Sequence, residues 1–94
     1  MTLQQLKYVI TVAAKGTISE AAKALFITQP SLTAAIKDLE AEFGIAIFNR
    51  TNKGVTPTPE GEEFLGYARQ IMEHTNLLEE RYGGKQAGKV YKVA

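Results

Sequence analysis

The sequence predicts a small, mainly α-helical domain with a two-stranded hairpin, and three observations point to this fold class. Apolar residues recur at helical spacing in three successive stretches between residues 3 and 43. Two short β-type segments separated by a polar turn follow between residues 45 and 58. A much longer helical pattern then begins at Pro59. The 94 residues are enough for one small domain with one core.

Composition excludes several other classes of protein. Apolar residues make up 45% of the chain, which is typical of a globular domain and argues against disorder. The absence of Cys excludes a disulfide scaffold and thiolate chemistry, and fits a cytoplasmic protein. No uninterrupted apolar run is long enough to cross a bilayer, so no membrane partner is expected. The formal net charge of +1 does not by itself indicate a nucleic-acid partner.

The first helix is predicted to begin after Thr2, a good N-cap residue, and to run to about Ala14. Gly16 follows as a residue that readily adopts the left-handed conformation after a helix end. The spacing predicts one buried face, which Val9 and Val12 widen. The residues that form most of this face are Leu3, Leu6, Ile10 and Ala13.

The stretch of residues 17–44, TISEAAKALFITQPSLTAAIKDLEAEFG, organises the rest of the chain. Thr17 and Glu20 have the spacing of a capping box, which predicts the start of a second helix. Thr28 is a good N-cap for a third helix, with Pro30 in its first turn. The three residues between the two helices leave room only for a tight turn. This arrangement is typical of a helix-turn-helix, whose second helix can enter the major groove of DNA.

Residues 45–50 are predicted to form a short strand, and TNKG to form a turn. Val55 and Thr56 can return as a second strand that Pro57 ends. Because a lone hairpin is marginally stable in water, it is expected to pack on the helices through Ile47, Phe48 and Val55. Three helices and this wing predict a winged helix-turn-helix over residues 1–58.

Thr58, Pro59 and Glu60 predict the start of a fourth helix, which reaches about Tyr82. Its apolar or uncharged residues are spaced 4-3-4-3-4, which is the spacing of a heptad seam. The seam consists of Phe64, Ala68, Ile71, Thr75, Leu78 and Tyr82, and Met72 broadens it. The first turns are expected to pack on their own domain. The distal stripe predicts a partner helix, so residues 59–82 are interpreted as a linker and dimerisation helix.

Residues 83–94 are predicted to contain a hinge followed by the β-type segment KVYKVA. A strand at this place has no partner left in the chain. We therefore expect that a second domain normally follows and that the chain is one module of a longer parent.

Five short motifs occur in a specific order: Ala21-Ala22 in the second helix, TQPSLT before IKDLE, FG at the end of the third helix, IFNRT in the wing, and TPEG before the long helix. Over roughly residues 3–82 the sequence resembles the N-terminal DNA-binding domain of LysR-type transcriptional regulators. The resemblance implies a winged helix-turn-helix, a dimerising linker helix and a C-terminal effector-binding domain. KVYKVA lies where the first strand of that further domain would begin.

The resemblance also implies which residues contact double-stranded DNA. Base contacts would come from Gln29, Pro30, Ser31 and Thr33. Contacts with phosphates or through the wing would come from Thr17, Ser19, Thr28, Lys37, Arg50 and Lys53. Arg50 could instead pair with Glu40 or Glu42. Many family members have a basic residue where this chain has Ala34, so the resemblance implies the binding mode but carries over neither a target sequence nor an affinity.

These features favour a sequence-specific DNA-binding transcriptional regulator that acts as a homodimer. A full-length parent could form a tetramer. The dimer would bind an inverted repeat whose half-sites lie about 10 bp apart or a multiple of that. The alternative is a winged-helix interaction or dimerisation module without DNA binding, which the near-neutral charge and Ala34 favour. An enzyme finds little support, because the sequence has no nucleophile–base pair, phosphate-binding Gly loop or metal-ligand cluster. No cofactor is expected.

Overall fold

The structure, a computed structural model, describes residues 1–83. In chain order its elements are α1 (Leu3–Lys15), α2 (Ile18–Leu25), α3 (Gln29–Phe43), β1 (Phe48–Thr51), β2 (Gly54–Pro57), α4 (Pro59–Leu78) and a π-helical turn (Glu79–Gly83). The predicted fold class, mainly helical with a two-stranded wing, is confirmed. The predicted hinge beyond residue 83 and the predicted strand KVYKVA lie outside the described residues. Across residues 1–83, every helix is too short or too polar to cross a membrane.

The helices begin at the residues whose side chains predicted their starts. Each N-cap hydroxyl accepts a hydrogen bond of 2.8–3.2 Å from the backbone N–H three residues later, at Thr2, Thr17, Thr28 and Thr58. The predicted capping box of Thr17 is only half formed, because the Glu20 carboxylate lies 3.8 Å from the ammonium of Lys23 instead. A complete capping box occurs at Thr2 with Gln5.

Left-handed residues end the first three helices. Gly16 (φ 83°) and Gly44 (φ 67°) adopt this conformation as predicted. Phe26 also adopts it, with φ 59°, and its backbone N–H donates to carbonyls of the preceding helical turn. A left-handed conformation costs a non-glycine residue about 1 kcal/mol, and the Phe26 side chain is 93% exposed. The turn between α2 and α3 therefore combines a strained backbone with an exposed aromatic ring.

One core joins the helices to the wing. Its largest fully buried side chains are Leu6, Val9, Val12, Leu32, Leu39, Ile47 and Leu65. The predicted buried face of α1 is wrong in its centre, because Val9 and Val12 are fully buried whereas Leu3 is 48% exposed. The reason is the small Ala21–Ala22 pair of α2, which packs in the same cluster as Val9 and Val12 and lets the two helices approach closely.

The wing is an antiparallel pair in which Phe48 lies opposite Pro57 and Thr51 lies opposite Gly54. As predicted, it packs on the helices through buried Ile47 and Val55, with Phe48 against the core. Near its turn, the wing also contacts the end of α1, since the N–H of Val55 in β2 donates to the carbonyl of Gly16 over 2.9 Å. The wing is thus fixed to the domain at both its base and its turn.

The prediction that the first strand begins at Ile45 is wrong, because β1 begins three residues later, at Phe48. The N–H of Ile47 has another partner, since it donates to the Glu40 carboxylate over 2.7 Å. The carbonyl of Ile47 accepts from the N–H of Thr58 over 2.9 Å, one pair beyond the Phe48–Pro57 end of the hairpin. The hairpin contact therefore ends at Ile47, and residues 45 and 46 connect it to α3.

The long helix changes its geometry before the predicted end at Tyr82. Its α-helical part stops at Leu78, and the π-helical turn that follows includes Tyr82. A π-helix has its hydrogen bonds between residues five apart. The heptad spacing, which assumes an α-helix, therefore no longer describes the direction of Tyr82.

Candidate nucleic-acid interface

The third helix buries one face and presents the other to solvent. Leu32, Ile36 and Leu39 are at most 4% exposed and hold α3 in the core. The opposite face is a shallow surface that is open to solvent, and we call it the reading groove; it is lined by Gln29, Pro30, Thr33, Ala34 and Lys37. Successive turns are linked by pairs four residues apart, namely Gln29–Thr33, Pro30–Ala34 and Thr33–Lys37, so the helical period places these positions on one side. Helical spacing alone therefore creates a continuous surface at the N-terminal half of α3.

Three of the four residues predicted to contact bases line the reading groove. Gln29 and Pro30 are exposed, and Thr33 is half-buried. Ser31 is exposed but does not line the groove. Its hydroxyl accepts a hydrogen bond of 2.9 Å from the hydroxyl of Thr28, and its N–H donates back to that oxygen. Ser31 and Thr28 thus form a closed pair at the start of α3.

Two further residues line the reading groove. Lys37, predicted as a phosphate contact, lines the reading groove one turn beyond Thr33. Ala34 lines it as well. An Ala on an exposed helix face carries no charge or hydrogen-bonding group, and the sequence singled out Ala34 only as the place where many family members have a basic residue. The period of α3 places it on the same face, since Ala34 follows Pro30 by four residues.

The predicted phosphate contacts at the second helix lie beside the wing. Thr17 and Ser19 are half-buried at the N-terminus of α2, where backbone N–H groups have no partner within the helix. A Cβ atom placed on Gly54 would lie 3.2 Å from the methyl of Thr17. The structure therefore brings the start of α2 and the wing turn together, although they are distant in sequence.

The two wing cations are exposed. Lys53 lies in the turn, where its N–H donates to the hydroxyl of Thr51 over 3.2 Å. Arg50 lies in β1 opposite Val55 and takes part in neither of the ion pairs found within residues 1–83. The predicted alternative, a pair with Glu40 or Glu42, is not formed. Glu40 accepts from backbone N–H groups, and Glu42 pairs with the Met1 amine over 2.7 Å.

The predicted dimerisation residues differ in how far they are buried. Phe64 and Ala68 turn toward their own domain, where Ala68 is 1% exposed and the Phe64 ring lies 5.5 Å from that of Phe43. Met72 and Thr75 are half-buried and line a groove between α1 and α4. The three residues that remain exposed are Ile71, Leu78 and Tyr82. The expectation that the first turns of this helix pack on their own domain agrees with this burial.

The chain matches a known family over most of its length. The model of the family described as bacterial regulatory helix-turn-helix proteins, lysR family, matches residues 3–62. The HTH-type transcriptional regulator ClcR of Pseudomonas putida is 38% identical over 90 residues, which is 96% of this chain and 31% of ClcR. The regulator CbbR of Rhizobium meliloti is 44% identical over 80 residues, 85% of this chain and 26% of CbbR. The chain therefore spans less than a third of either relative.

Solved structures are similar to this fold as well. The DNA-binding domain of CbnR, in complex with DNA, superposes with a TM-score of 0.81 at 38% identity, covering 86% of this chain and 93% of that one. The corresponding domain of BenM, solved with benA site 1 DNA, has a TM-score of 0.82 at 33% identity and covers 86% and 94%. Sequence and fold agree, so the chain belongs to the LysR family of bacterial helix-turn-helix regulatory proteins.

Proposed function

We propose that this chain is the DNA-binding part of a transcriptional regulator and that it binds its site as a homodimer. The observation that carries the proposal is the reading groove, an exposed surface on the N-terminal half of α3 that contributes nothing to the core. DNA in the complexes of similar domains supports the same partner here. Because bacterial DNA lies in the cytoplasm, the proposal also assigns the protein to the cytoplasm. No enzymatic role is proposed.

In this proposal α3 enters the major groove of DNA with the residues of the reading groove facing the bases. The amide of Gln29 can donate to N7 and accept from N6 of adenine, which distinguishes this base from the other three. Thr17, Ser19 and Thr28 lie at helix N-termini, where partial positive charge and free N–H groups suit phosphate. Lys37 and the wing cations Arg50 and Lys53 add sequence-independent attraction.

The dimer is proposed to form through α4 in antiparallel orientation. Near its N-terminal end, α4 borders an apolar groove of about 410 Å³ that includes Phe43, Phe64 and Tyr67. Its distal end presents exposed apolar residues, of which Leu77 and Leu78 are 54% and 59% exposed. An antiparallel pair covers the groove of each subunit with the distal end of the other. This is the self-complementary contact that two-fold symmetry requires.

Ile71 marks the centre of this proposed contact. It lies seven residues from both Phe64 and Leu78, about 10 Å in each direction along the helix. Its side chain is 37% exposed. Two copies related in this way present their α3 helices to successive major grooves. The expected site is an inverted repeat with half-sites about 10 bp apart, or a multiple of that. With further domains attached, the parent could assemble such dimers into a tetramer.

DNA binding is tested by a mobility shift on mixed-sequence duplex at low salt, followed by titration at several salt concentrations. We expect binding, and we expect Lys53→Ala to reduce the slope of log affinity against log salt by about 1. Lys7→Ala is the matched control, because Lys7 lies on α1 beside Met72 and Thr75 and outside the proposed interface. Absence of any shift would instead favour an interaction module without DNA binding.

The dimer is tested by sedimentation equilibrium of Ile71→Glu. We expect this variant to be monomeric, since a carboxylate at the centre of an apolar contact has no partner. Gln70→Glu places the same charge on an adjacent exposed position and should leave the dimer intact. A wild-type monomer at all concentrations, or a dimer that Ile71→Glu leaves unchanged, would contradict the contact through α4.

A further inference from the structure

The long helical segment formed by α4 and the π-helical turn carries opposite charges at its two ends. Glu60 and Glu63 border the apolar groove near its N-terminal end. Arg81 lies in the π-helical turn at the distal end, where its guanidinium carbon lies 5.7 Å from the centre of the Tyr82 ring. All three charged side chains are exposed, and none takes part in either of the ion pairs found within residues 1–83. Their charges are therefore available to a partner.

The acids of the distal end lie on a different side from the dimer contact. Glu79 borders the groove between α1 and α4, and Glu80 borders a second groove beside Ile10 of α1. Arg81 borders neither of these grooves. The two carboxylates therefore lie beside their own domain, whereas the guanidinium group of Arg81 can reach a second copy of the chain.

The antiparallel dimer brings the opposite charges to the same level. Arg81 lies ten residues after Ile71, the centre of the contact, which is about 15 Å along the axis. Glu63 and Glu60 lie eight and eleven residues before Ile71, about 12 Å and 16 Å from it. Two-fold symmetry therefore places Arg81 of each copy level with the two acids of the other. The long, flexible Arg side chain can span the remaining distance whatever direction the π-helical turn gives it.

A parallel pair would not combine these charges. Arg81 of one copy would lie beside Arg81 of the other, and both would lie about 30 Å from the acids at the opposite end. Charges separated by more than about 8 Å are largely screened at physiological ionic strength. Only the antiparallel orientation therefore gains attraction from these side chains and avoids repulsion between like charges.

We infer that ion pairs between Arg81 of one copy and Glu60 and Glu63 of the other determine the antiparallel orientation of the dimer and select the chain with which it pairs. The inference rests on the proposed dimer and assigns the residues that give it specificity. Apolar contact supplies most of the affinity, because exposed ion pairs contribute little to stability. Charges at the rim instead exclude wrong partners, since a chain with the reverse arrangement would place like charges together at both ends.

Two charge reversals test the inference in the 94-residue chain. Glu63→Arg and Arg81→Glu each place like charges together at both ends of the dimer. We expect either substitution to raise the dimer dissociation constant about tenfold in sedimentation equilibrium, because repulsion replaces attraction. Glu62→Arg is the matched control, because Glu62 is an exposed neighbour that does not line the groove; its dissociation constant should equal that of the wild type. Circular dichroism checks that all variants fold.

A mixture of the two reversed variants provides a second measurement. In their heterodimer the two substituted residues lie together at one end, and the original opposite charges remain at the other. Native mass spectrometry separates the three possible dimers by mass. We expect heterodimers to make up about nine in ten of all dimers, compared with about half for random pairing. This preference should decrease as the ammonium acetate concentration is raised, because salt screens exposed charges.

The results that would overturn the inference are distinguishable from failure of the proposed dimer. If the wild type dimerises but Glu63→Arg behaves like Glu62→Arg, the ion pairs are wrong and the proposed dimer stands. Random pairing in the mixture leads to the same conclusion. A wild type that remains monomeric at all concentrations contradicts the proposed dimer, and the inference fails with it.

Discussion

The two ends of α3 differ in what they contact. At the C-terminal end, Glu40 takes part in a compact junction where the connection after α3 meets the start of α4; we call this the wing junction, and it consists of Glu40, Ile47, Thr58 and Gly61. At the N-terminal end, the side chains of the reading groove extend into solvent. One helix therefore serves the fold at one end and remains available to a partner at the other.

The wing junction is held by hydrogen bonds between its members and by direct backbone contact. Glu40 accepts from the N–H groups of Ile47 and Phe48. The Thr58 hydroxyl caps α4 at Gly61 and donates to the carbonyl of Ala46. Every buried side-chain nitrogen and oxygen in residues 1–83 has a hydrogen-bond partner. Substitutions here are expected to change stability, whereas substitutions in the reading groove are expected to change only binding.

The largest effect is expected from Gly61→Ala. A Cβ atom at Gly61 would lie 1.9 Å from the carbonyl oxygen of Ile47, which is backbone and cannot rotate away. The start of α4 must therefore shift, and we expect the free energy of unfolding to fall by about 3 kcal/mol. Gly66→Ala in the same helix meets no atom within 4 Å and should raise stability by up to about 1 kcal/mol. Urea denaturation measures both; equal effects would contradict the close contact.

A smaller loss is expected from Glu40→Ala. The N–H of Ile47, a residue that is 0% exposed, would lose its acceptor. Leaving such a donor buried and unpaired costs about 1–3 kcal/mol. Asp38→Ala removes an exposed carboxylate from the same helix and should change stability by less than about 0.5 kcal/mol. Thermal unfolding compares the stabilities of the two variants. A loss of stability of similar size in both would contradict the claim that Glu40 stabilises the wing junction by accepting from Ile47.

The smallest change in stability is expected from Gln29→Ala, which tests the other end of α3. Gln29 is exposed at the first position of the helix, so unfolding should change by less than about 0.5 kcal/mol. Binding should instead lose its preference at one base pair in each half-site, because a bidentate contact contributes about 1–3 kcal/mol of discrimination. Affinity measured against all four base pairs at each position detects this loss. An unchanged preference would exclude Gln29 as a base-reading residue.

The sequence was most informative where local chemistry decides structure. Thr28 and Thr58 predicted two helix starts through their hydroxyl groups, and Gly16 and Gly44 predicted two helix ends through their backbone freedom. The helical period of α3 likewise separated core residues from the exposed face. These features depend on residues close in sequence, so no knowledge of tertiary contacts is needed.

The sequence was least informative where distant residues compete for the same groups. Ile45 and Ile47 alternate as in a strand, yet the strand begins only at Phe48, because the N–H of Ile47 donates to the Glu40 carboxylate. The left-handed Phe26 is another example, because an aromatic residue is a poor predictor of positive φ. Ala68 lies on a heptad seam, but the core of its own domain buries it.

The central claim, that a dimer of this chain reads DNA through α3, is tested most directly by selecting bound duplexes from a random pool with the chain itself. The account predicts enrichment of an inverted repeat with half-sites about 10 bp apart, or a multiple of that. Each half-site should contain one base pair at which an adenine is preferred, the base that Gln29 is proposed to read. A pool without enrichment, or one enriched in single sites lacking two-fold symmetry, would contradict it.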